Sequence, residues 1–526
     1  MEGISCIWPL VGSLLSVAGI PPIRGGAQQG SRHLNEGVGV LSLDYPSRKW
    51  WILSVVTLVA FITNVDGTIV IVGLPRIIGG LHISFTVGLW TLTAYILTST
   101  VLLLPAGRMA DKAGPKRVFM VGLAVFTAST TLCGFAPSGT LLILFRLIQG
   151  GGAALALATA TPIIVRAFPP NQLGQALGIN STSWVIGSIV GPVVGGALVG
   201  SLGWRWIFFV TVPFAVAGIV GAWLILVERT PMKVSRRGLD WVGAFSFAVA
   251  LTAILVALSE GAIWGFTSVP TLGLFGLAGL LLVGFVRWEL ASKNPLFDFH
   301  LFRHRHYRSG LGVTMSYSIG YFASTFLLTI YLQGALHQTP LASGLLLIPL
   351  SAPQLIMGPV GGTLADRLGP ARLVLAGIVL LGTGAFLLGD LGPHLSPLKI
   401  IVPLLVMSFA NGLAWPSLTK AVMSSLPSQQ TGIGSGMFYT FRNIGMALSL
   451  TLAFLVSEAS LPAPVASRVF LGTAGILSPK LKGVLVHSTD VGFHFFVGFY
   501  VLAFVLAIAL LRPMAEPRLE LDVERG

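Results

Sequence analysis

Charged and amide side chains stand inside segments that otherwise read as hydrocarbon. Asp66 lies in AFITNVDGTIVIVGLP (60–75), Arg146 and Gln149 in FRLIQGGGAA (145–154), and Arg442 and Asn443 in YTFRNIGMAL (439–448). A charge at bilayer depth is costly, so a chain keeps one there for a use. Asp66 comes about 22 Å into its apolar run, which leaves about 8 Å of a ~30 Å hydrocarbon core. Arg146, about 9 Å into a helix entering from that far edge, reaches the same depth. The two residues can therefore meet, and the chemistry on offer is proton exchange: a proton on the carboxylate releases the guanidinium. Burial and a neighbouring guanidinium pull on such a proton in opposite senses. The plainer alternative is a static ion pair that fixes packing. Arg442, about 16 Å into its own helix, has no carboxylate within any helix of the second half. Its partner must be Asp66, backbone carbonyls or a substrate, and Gln149 and Asn443 are candidates to join a polar network around it.

These residues need spanning helices to hold them, and the composition supplies those. Of 526 residues, 54% are hydrophobic and 10% charged, with a mean hydropathy of +0.86. Soluble domains carry about 25% charged residues, so lipid is the solvent here. Apolar runs of roughly twenty residues, enough for one span each, follow one another from residue 51. We read fourteen, among them 51–73, 86–106, 206–227, 342–364 and 492–511. The net charge of +14 is scattered over many loops, unlike the single patch of a nucleic-acid binder, so no nucleic-acid partner is expected. With the N-terminus cytoplasmic, most of the Lys and Arg fall in inside loops, which supports an even number of spans and places both termini in the cytoplasm.

The chain also repeats itself. GRMADKAGPKR (107–117) and GTLADRLGPAR (362–372) align Gly107 with Gly362, Asp111 with Asp366, Gly114 with Gly369 and Arg117 with Arg372. A weaker echo links PNQLGQALG (170–178) with SQQTGIGSG (428–436). Internal duplication in a polytopic chain marks a transporter whose halves rock about a central site. The organisation expected is an N-terminal tail over 1–47, disordered and cytoplasmic, and a six-helix bundle over 48–228. Two inserted helices and a basic linker over 229–305, a second six-helix bundle over 306–512 and a cytoplasmic tail over 513–526 complete it. The tail has no basic region ahead of its apolar start, which argues against a signal peptide. Both repeated loops are tight turns in which Asp111 and Asp366 can cap a helix and pair with Arg117 and Arg372.

Other chemistries find little support. Cys6 and Cys133 are far apart and suggest neither a disulfide framework nor zinc. HLFRHRHYR (300–308) reads as a basic loop in preference to a metal site. No G-x-x-x-x-G-K-[ST] phosphate loop occurs, which argues against ATP as the energy source, and no hydrolytic constellation suggests an enzyme.

At this point the motifs resemble a known family. GRMADKAGPKR is similar to the loop 2–3 signature of the major facilitator superfamily, and FRLIQGGGAA to its helix 4 signature. GSIVGPVVGG (187–196), with Gly187, Gly191, Pro192, Gly195 and Gly196, resembles the helix 5 signature associated with exporters. VDGTIVIVGLP (65–75) and WRWIFFVTVPF (204–214) resemble phrases of the fourteen-helix drug/proton antiporters, with Ile71 and Thr211 where that branch has Asn. The resemblance implies an all-α polytopic membrane protein with the major facilitator fold: two six-helix bundles plus two inserted helices around a midplane cavity. It implies proton-coupled export of amphipathic or cationic drugs across the cytoplasmic membrane, with Asp66 and Arg146 coupling the protons and no cofactor beyond the proton gradient. It further implies that the loops gate the pathway and the helix 5 glycines bias it outward. A periplasmic adaptor protein is a candidate partner. The alternatives are an exporter of one metabolite, siderophore or self-made antibiotic, and a non-transporting membrane sensor. Trp90, Tyr95, Trp184, Phe322, Phe326, Tyr331, Phe438 and Tyr439 are candidates to line the cavity.

Overall fold

A computed structural model describes residues 47–227, 240–292, 297, 299–338, 340–394, 396–427, 430–460 and 478–511. The expected tails (1–46 and 513–526), most of the first basic linker (228–239) and the loop 461–477 lie outside the described residues.

The first half comprises α1 (Arg48–Leu81), α2 (Phe85–Val101), α3 (Leu103–Ala113), α4 (Pro115–Phe135), α5 (Gly139–Ala167), α6 (Pro170–Ser201), α7 (Trp206–Phe209) and α8 (Val212–Ile225). Then come α9 (Trp241–Trp264) and α10 (Val269–Ala291). The second half comprises α11 (Arg305–Ile330), α12 (Pro340–Ser351), α13 (Gln354–Leu368), α14 (Pro370–Leu387), α15 (Pro397–Met423), α16 (Thr431–Ser460) and α17 (Pro479–Ile508). In lipid every backbone polar group must be satisfied within the chain, which is why these runs are helices. Serine caps begin several of them: Ser84, Ser138 and Ser478 accept from the N–H groups of Val87, Leu141 and Leu481. Proline opens α4, α6, α14, α15 and α17, where its missing N–H costs nothing.

The described parts of the fourteen expected segments are largely helical, which is compatible with fourteen spans, although several are built from two pieces. Among the described residues, twelve helices are long and apolar enough to cross a membrane. The bent pair Trp90–Val101 and Leu103–Ala113, at 44°, makes a thirteenth, and Val242–Leu258 is a shorter apolar helix. The breaks inside the runs expected over 86–106, 206–227 and 342–364 share one cause. Pro105, Pro213 and Pro353 cannot donate to the carbonyls of Val101, Phe209 and Pro349, so the ladder fails just ahead of each. The last helix departs most from expectation. It begins at Pro479, not near 492, and so takes in Lys480, Lys482 and Asp490, which corrects the expectation that no helix of the second half contains a carboxylate. Its polar first turns hid it from a hydropathy reading, although the Ser478–Pro479 cap and Pro at its first position are start signals.

α9 and α10 pack on each other, and α9 leans on α2 and α16, one helix from each half. Between the halves, α3 packs on α16 and α13 on α6. These two contacts set the geometry of everything described next.

Candidate functional site

Four helices of the first half bring one polar cluster together. Arg146 Nη1 on α5 donates to Asp66 Oδ2 on α1 at 2.5 Å and to Gln149 Oε1 at 2.7 Å, while its Nε donates to the Thr91 carbonyl of α2 at 2.9 Å. Gln149 Nε2 donates to Asp66 Oδ1 at 2.8 Å and to Thr130 Oγ1 of α4 at 2.6 Å. The guanidinium carbon stands 4.3 Å from the centre of the Tyr95 ring, a cation–π contact. Asp66, Arg146 and Gln149 are each 0% exposed. A buried ion pair survives desolvation only when its remaining lone pairs and protons find partners, and here they do. Nothing in the sequence singled out Thr91 or Thr130, whose threonines look like any others in a spanning helix.

The opposite face of α1 meets α6. Asn64 Nδ2 donates to the Trp184 carbonyl, and Thr68 Oγ1 donates to the Gly187 carbonyl at 3.2 Å. A side chain at Gly187, Gly191 or Gly195 would collide with Asn64, Thr68 or Ile69 respectively. The three glycines form the stripe that lets the two backbones approach. Gly196 has open space around it and does not belong to that stripe. Pro192 is exposed, and α6 runs unbroken past it.

The repeated loops lock the halves together reciprocally. Asp111, at the end of α3, accepts from the N–H groups of Gly432 and Ile433 in the first turn of α16, at 2.8 and 2.7 Å. Asp366, at the end of α13, accepts from Gly174 and Gln175 near the start of α6, at 2.8 and 2.9 Å. A carboxylate at a helix N-terminus satisfies orphan donors and meets the positive end of the dipole. The approach is close enough to require glycine: a Cβ on Gly107 would strike the Gly432 carbonyl, and one on Gly362 the Gly174 carbonyl. Gly114 and Gly369 end α3 and α13 with φ of 92° and 87°, a conformation that favours glycine. Each strong motif thus docks on the weak echo of the other half. The expected local partners are not the ones used. Asp366 pairs with Lys420 Nζ at 2.5 Å in place of Arg372, and the charges bearing on Asp111 are those of Arg108 and Arg166 in place of Arg117. Arg117 and Arg372 are exposed.

A cavity of about 210 Å³ lies between the halves beside this lock. Asn64, Ser181, Trp184 and Ser188 line it from the first half, and Tyr317, Tyr321, Gln354, Asn411, Trp415 and Arg442 are among those lining it from the second. Arg442 Nη1 donates to Asn443 Oδ1 at 3.1 Å, and its guanidinium faces the rings of Trp184, Phe322 and Trp415 at 5.2, 5.3 and 5.5 Å. Asn443 Nδ2 donates across the halves to Thr100 Oγ1 at 3.0 Å. The polar residues therefore divide into two groups: Gln149 serves Asp66 and Arg146, not Arg442. Of the aromatics expected in the wall, Trp184, Phe322 and Tyr439 line it. Tyr95 lies beneath Arg146, Phe438 is fully buried, and Tyr331 donates to the Gly392 carbonyl. Trp90 and Phe326 are not in the wall. Tyr317, Tyr321 and Trp415 went unselected because helix aromatics carry no mark of which face they take.

Comparison with known proteins agrees with this architecture. Residues 56–450 match the model of the Major Facilitator Superfamily. The chain is similar to the "Multidrug transporter protein MdtP" of Bacillus subtilis, at 29% identity over 78% of this chain and 76% of that protein. It is also similar to the "Tetracenomycin C resistance and export protein" of Streptomyces glaucescens, at 28% identity over 89% of this chain and 93% of the other. The fold is shared with the proton:xylose symporter XylE at a TM-score of 0.58 and 13% identity, covering 87% of this chain and 95% of that one. The family model covers most of the chain and the fold persists at that distance, so the chain belongs to the major facilitator superfamily.

Proposed function

We propose that this multi-pass membrane protein is a secondary active exporter of amphipathic toxic compounds, driven by exchange for protons across the cytoplasmic membrane. One observation carries the reading. The buried Asp66–Arg146–Gln149 cluster sits behind α1, whose other face bears Asn64 in the cavity wall and Thr68 against the glycine stripe of α6. A proton taken by Asp66 would loosen α1 from α5, and α1 is the element that touches the cavity and the α6 contact together. The names of the relatives, a multidrug transporter and a resistance and export protein, support export as the direction. The basic bias of the loops supports a cytoplasmic lock and cytoplasmic termini. In that orientation the lock closes the cytoplasmic end, and the cavity beyond it faces outward.

The test is efflux from proteoliposomes under an imposed pH gradient, using ethidium, tetraphenylphosphonium and a neutral amphipathic dye, with wild type beside Asp66→Asn. Gradient-driven efflux of at least one of these probes, lost in the variant, is expected. Undiminished uphill efflux in the variant would remove Asp66 from the coupling step. A folded wild type that moves none of the probes would instead favour an exporter dedicated to one compound, as the name of the tetracenomycin relative suggests.

A further inference from the structure

The cavity is lined by aromatic rings, amides and hydroxyls, and among the described residues a single lining residue carries a formal charge: Arg442. No Asp or Glu is among the described lining residues, and Asp66 is fully buried and bound on the far side of α1. Among the described residues, the side chain of Arg442 makes one hydrogen bond, to Asn443 Oδ1. A guanidinium carries five N–H donors in a fork that suits a carboxylate, so most of its donors remain for a guest. Among the described residues, the titratable groups bearing on it are the phenols of Tyr317, Tyr321 and Tyr439, and its other neighbours are the rings of Trp184, Phe322 and Trp415, so it faces ring electrons and no carboxylate.

The second-half wall is also polarised toward donation. Tyr317 donates to Asn411 Oδ1, Asn411 Nδ2 to Gln354 Oε1 at 2.7 Å, and Gln354 Nε2 to the Tyr321 oxygen at 3.0 Å. The chain of bonds ends on an oxygen that accepts, so Tyr321 keeps its own hydrogen to give. Beside these donors the wall is rich in flat aromatic surface. Tyr317 and Tyr321 stack at 6.0 Å with 10° between their planes, and Trp415 stands 5.8 Å from Tyr317.

We propose that the cargo is a planar aromatic compound bearing an acidic oxygen, a carboxylate or phenolate, which Arg442 and Tyr321 receive, and that lipophilic cations are disfavoured. This deepens the export reading above and rests on it. A cation in this space would face the guanidinium in a medium of low dielectric, where like charges repel strongly. An anion instead supplies the counter-charge that a half-buried guanidinium lacks. Of the amphipathic or cationic cargo expected from the sequence, this inference keeps the amphipathic compounds and disfavours the cations.

The experiment uses three molecules of one shape: anthracenecarboxylate, aminomethylanthracene and neutral anthracenemethanol. Binding to the purified full-length protein is read by quenching of tryptophan fluorescence, since Trp184 and Trp415 flank Arg442. Uphill movement is read in proteoliposomes. Wild type is expected to bind the acid roughly tenfold more tightly than the amine, with the alcohol between. Arg442→Gln should level the three affinities, and Arg442→Lys should keep their order. A role confined to packing would move all three equally. Equal or reversed preference in the wild type overturns the inference, whether or not any variant folds, and so does an unchanged preference in a folded Arg442→Gln. Uphill movement of the amine ahead of the acid defeats the inference and leaves the export reading standing. Movement of none of the three, with another of the amphipathic probes still moved uphill, defeats the inference alone, and movement of no probe at all defeats both.

Discussion

Asn64 and Asp66 stand two residues apart on α1 and face opposite ways: Asn64 reaches the Trp184 carbonyl at the cavity wall, and Asp66 is held by Arg146 inside the bundle. Two residues turn a helix through about 200°, so this opposition follows from their spacing. One rod therefore carries a proton-binding candidate on its back and a cargo-facing amide on its front. Any shift of the rod is felt by both.

The α1–α6 contact should tolerate no added bulk. Leu in place of Gly187 or Gly191 would collide with Asn64 or Thr68. Overpacking of this kind costs about 1–3 kcal/mol. Both variants should melt several degrees lower in detergent and lose efflux. Gly196→Ala, in open space, should match or exceed the stability of the wild type. Normal melting of Gly191→Leu would show that the two helices separate freely.

Stability and transport should part company at the buried pair. Arg146→Met alone leaves Asp66 without its cation, at a cost of about 3–5 kcal/mol. Adding Asp66→Leu removes the stranded carboxylate, so the double variant should regain much of the melting temperature while remaining unable to couple to a pH gradient. If the double variant melts no higher than the single, the pair is not the main tenant of that space.

The reciprocal lock should open when its carboxylates are neutralised. Asp111→Asn and Asp366→Asn each weaken an interhelical cap, by about 0.5–2 kcal/mol. A cysteine at Ser181, which lines the cavity, would report the change in a background lacking Cys6 and Cys133. With both aspartates changed, its labelling by a membrane-impermeant reagent from the side of the lock should rise well above that in the wild-type lock. Equal labelling in both would show that the carboxylates do not hold the halves closed.

Removing one donor from the cavity wall should cost affinity and little else. Tyr321→Phe deletes the hydrogen that the Gln354 bond leaves available. Loss of one such hydrogen bond is worth about 1 kcal/mol, or roughly a fivefold weaker acid ligand. Titration by fluorescence quenching would check this, and an unchanged affinity would mean that cargo binds away from the phenol.

Much of this could be read beforehand, and the failures have physical causes. Long apolar runs announce spanning helices, since lipid permits little else, and a buried Asp with an Arg at matching depth announces a pair. The proline breaks were visible in the residues, but a hydropathy window averages over them. The strong repeat was plain as well, and the second was legible as a weaker echo. That each docks on the other half was not, because a repeat reveals kinship between segments and says nothing of contact. For the same reason Lys420, remote in sequence from Asp366, could not be chosen over Arg372. The cavity wall was the least legible part. Tyr317, Tyr321 and Trp415 differ from lipid-facing aromatics only in direction, and direction is a product of the assembled fold.

The pairing of Gly107 with Gly432 and of Gly362 with Gly174 has a further consequence. Each half holds a plug, its loop motif, and a socket, the start of the helix that receives the other half's loop. Two copies of a single half would meet plug to socket twice over, about a two-fold axis, which is the self-complementary contact of an isologous dimer. A half-length ancestor equipped in this way needs no partner other than itself. Fusion of two such copies would leave later divergence free to act side by side, with Lys420 serving one joint and Arg108 and Arg166 serving the other.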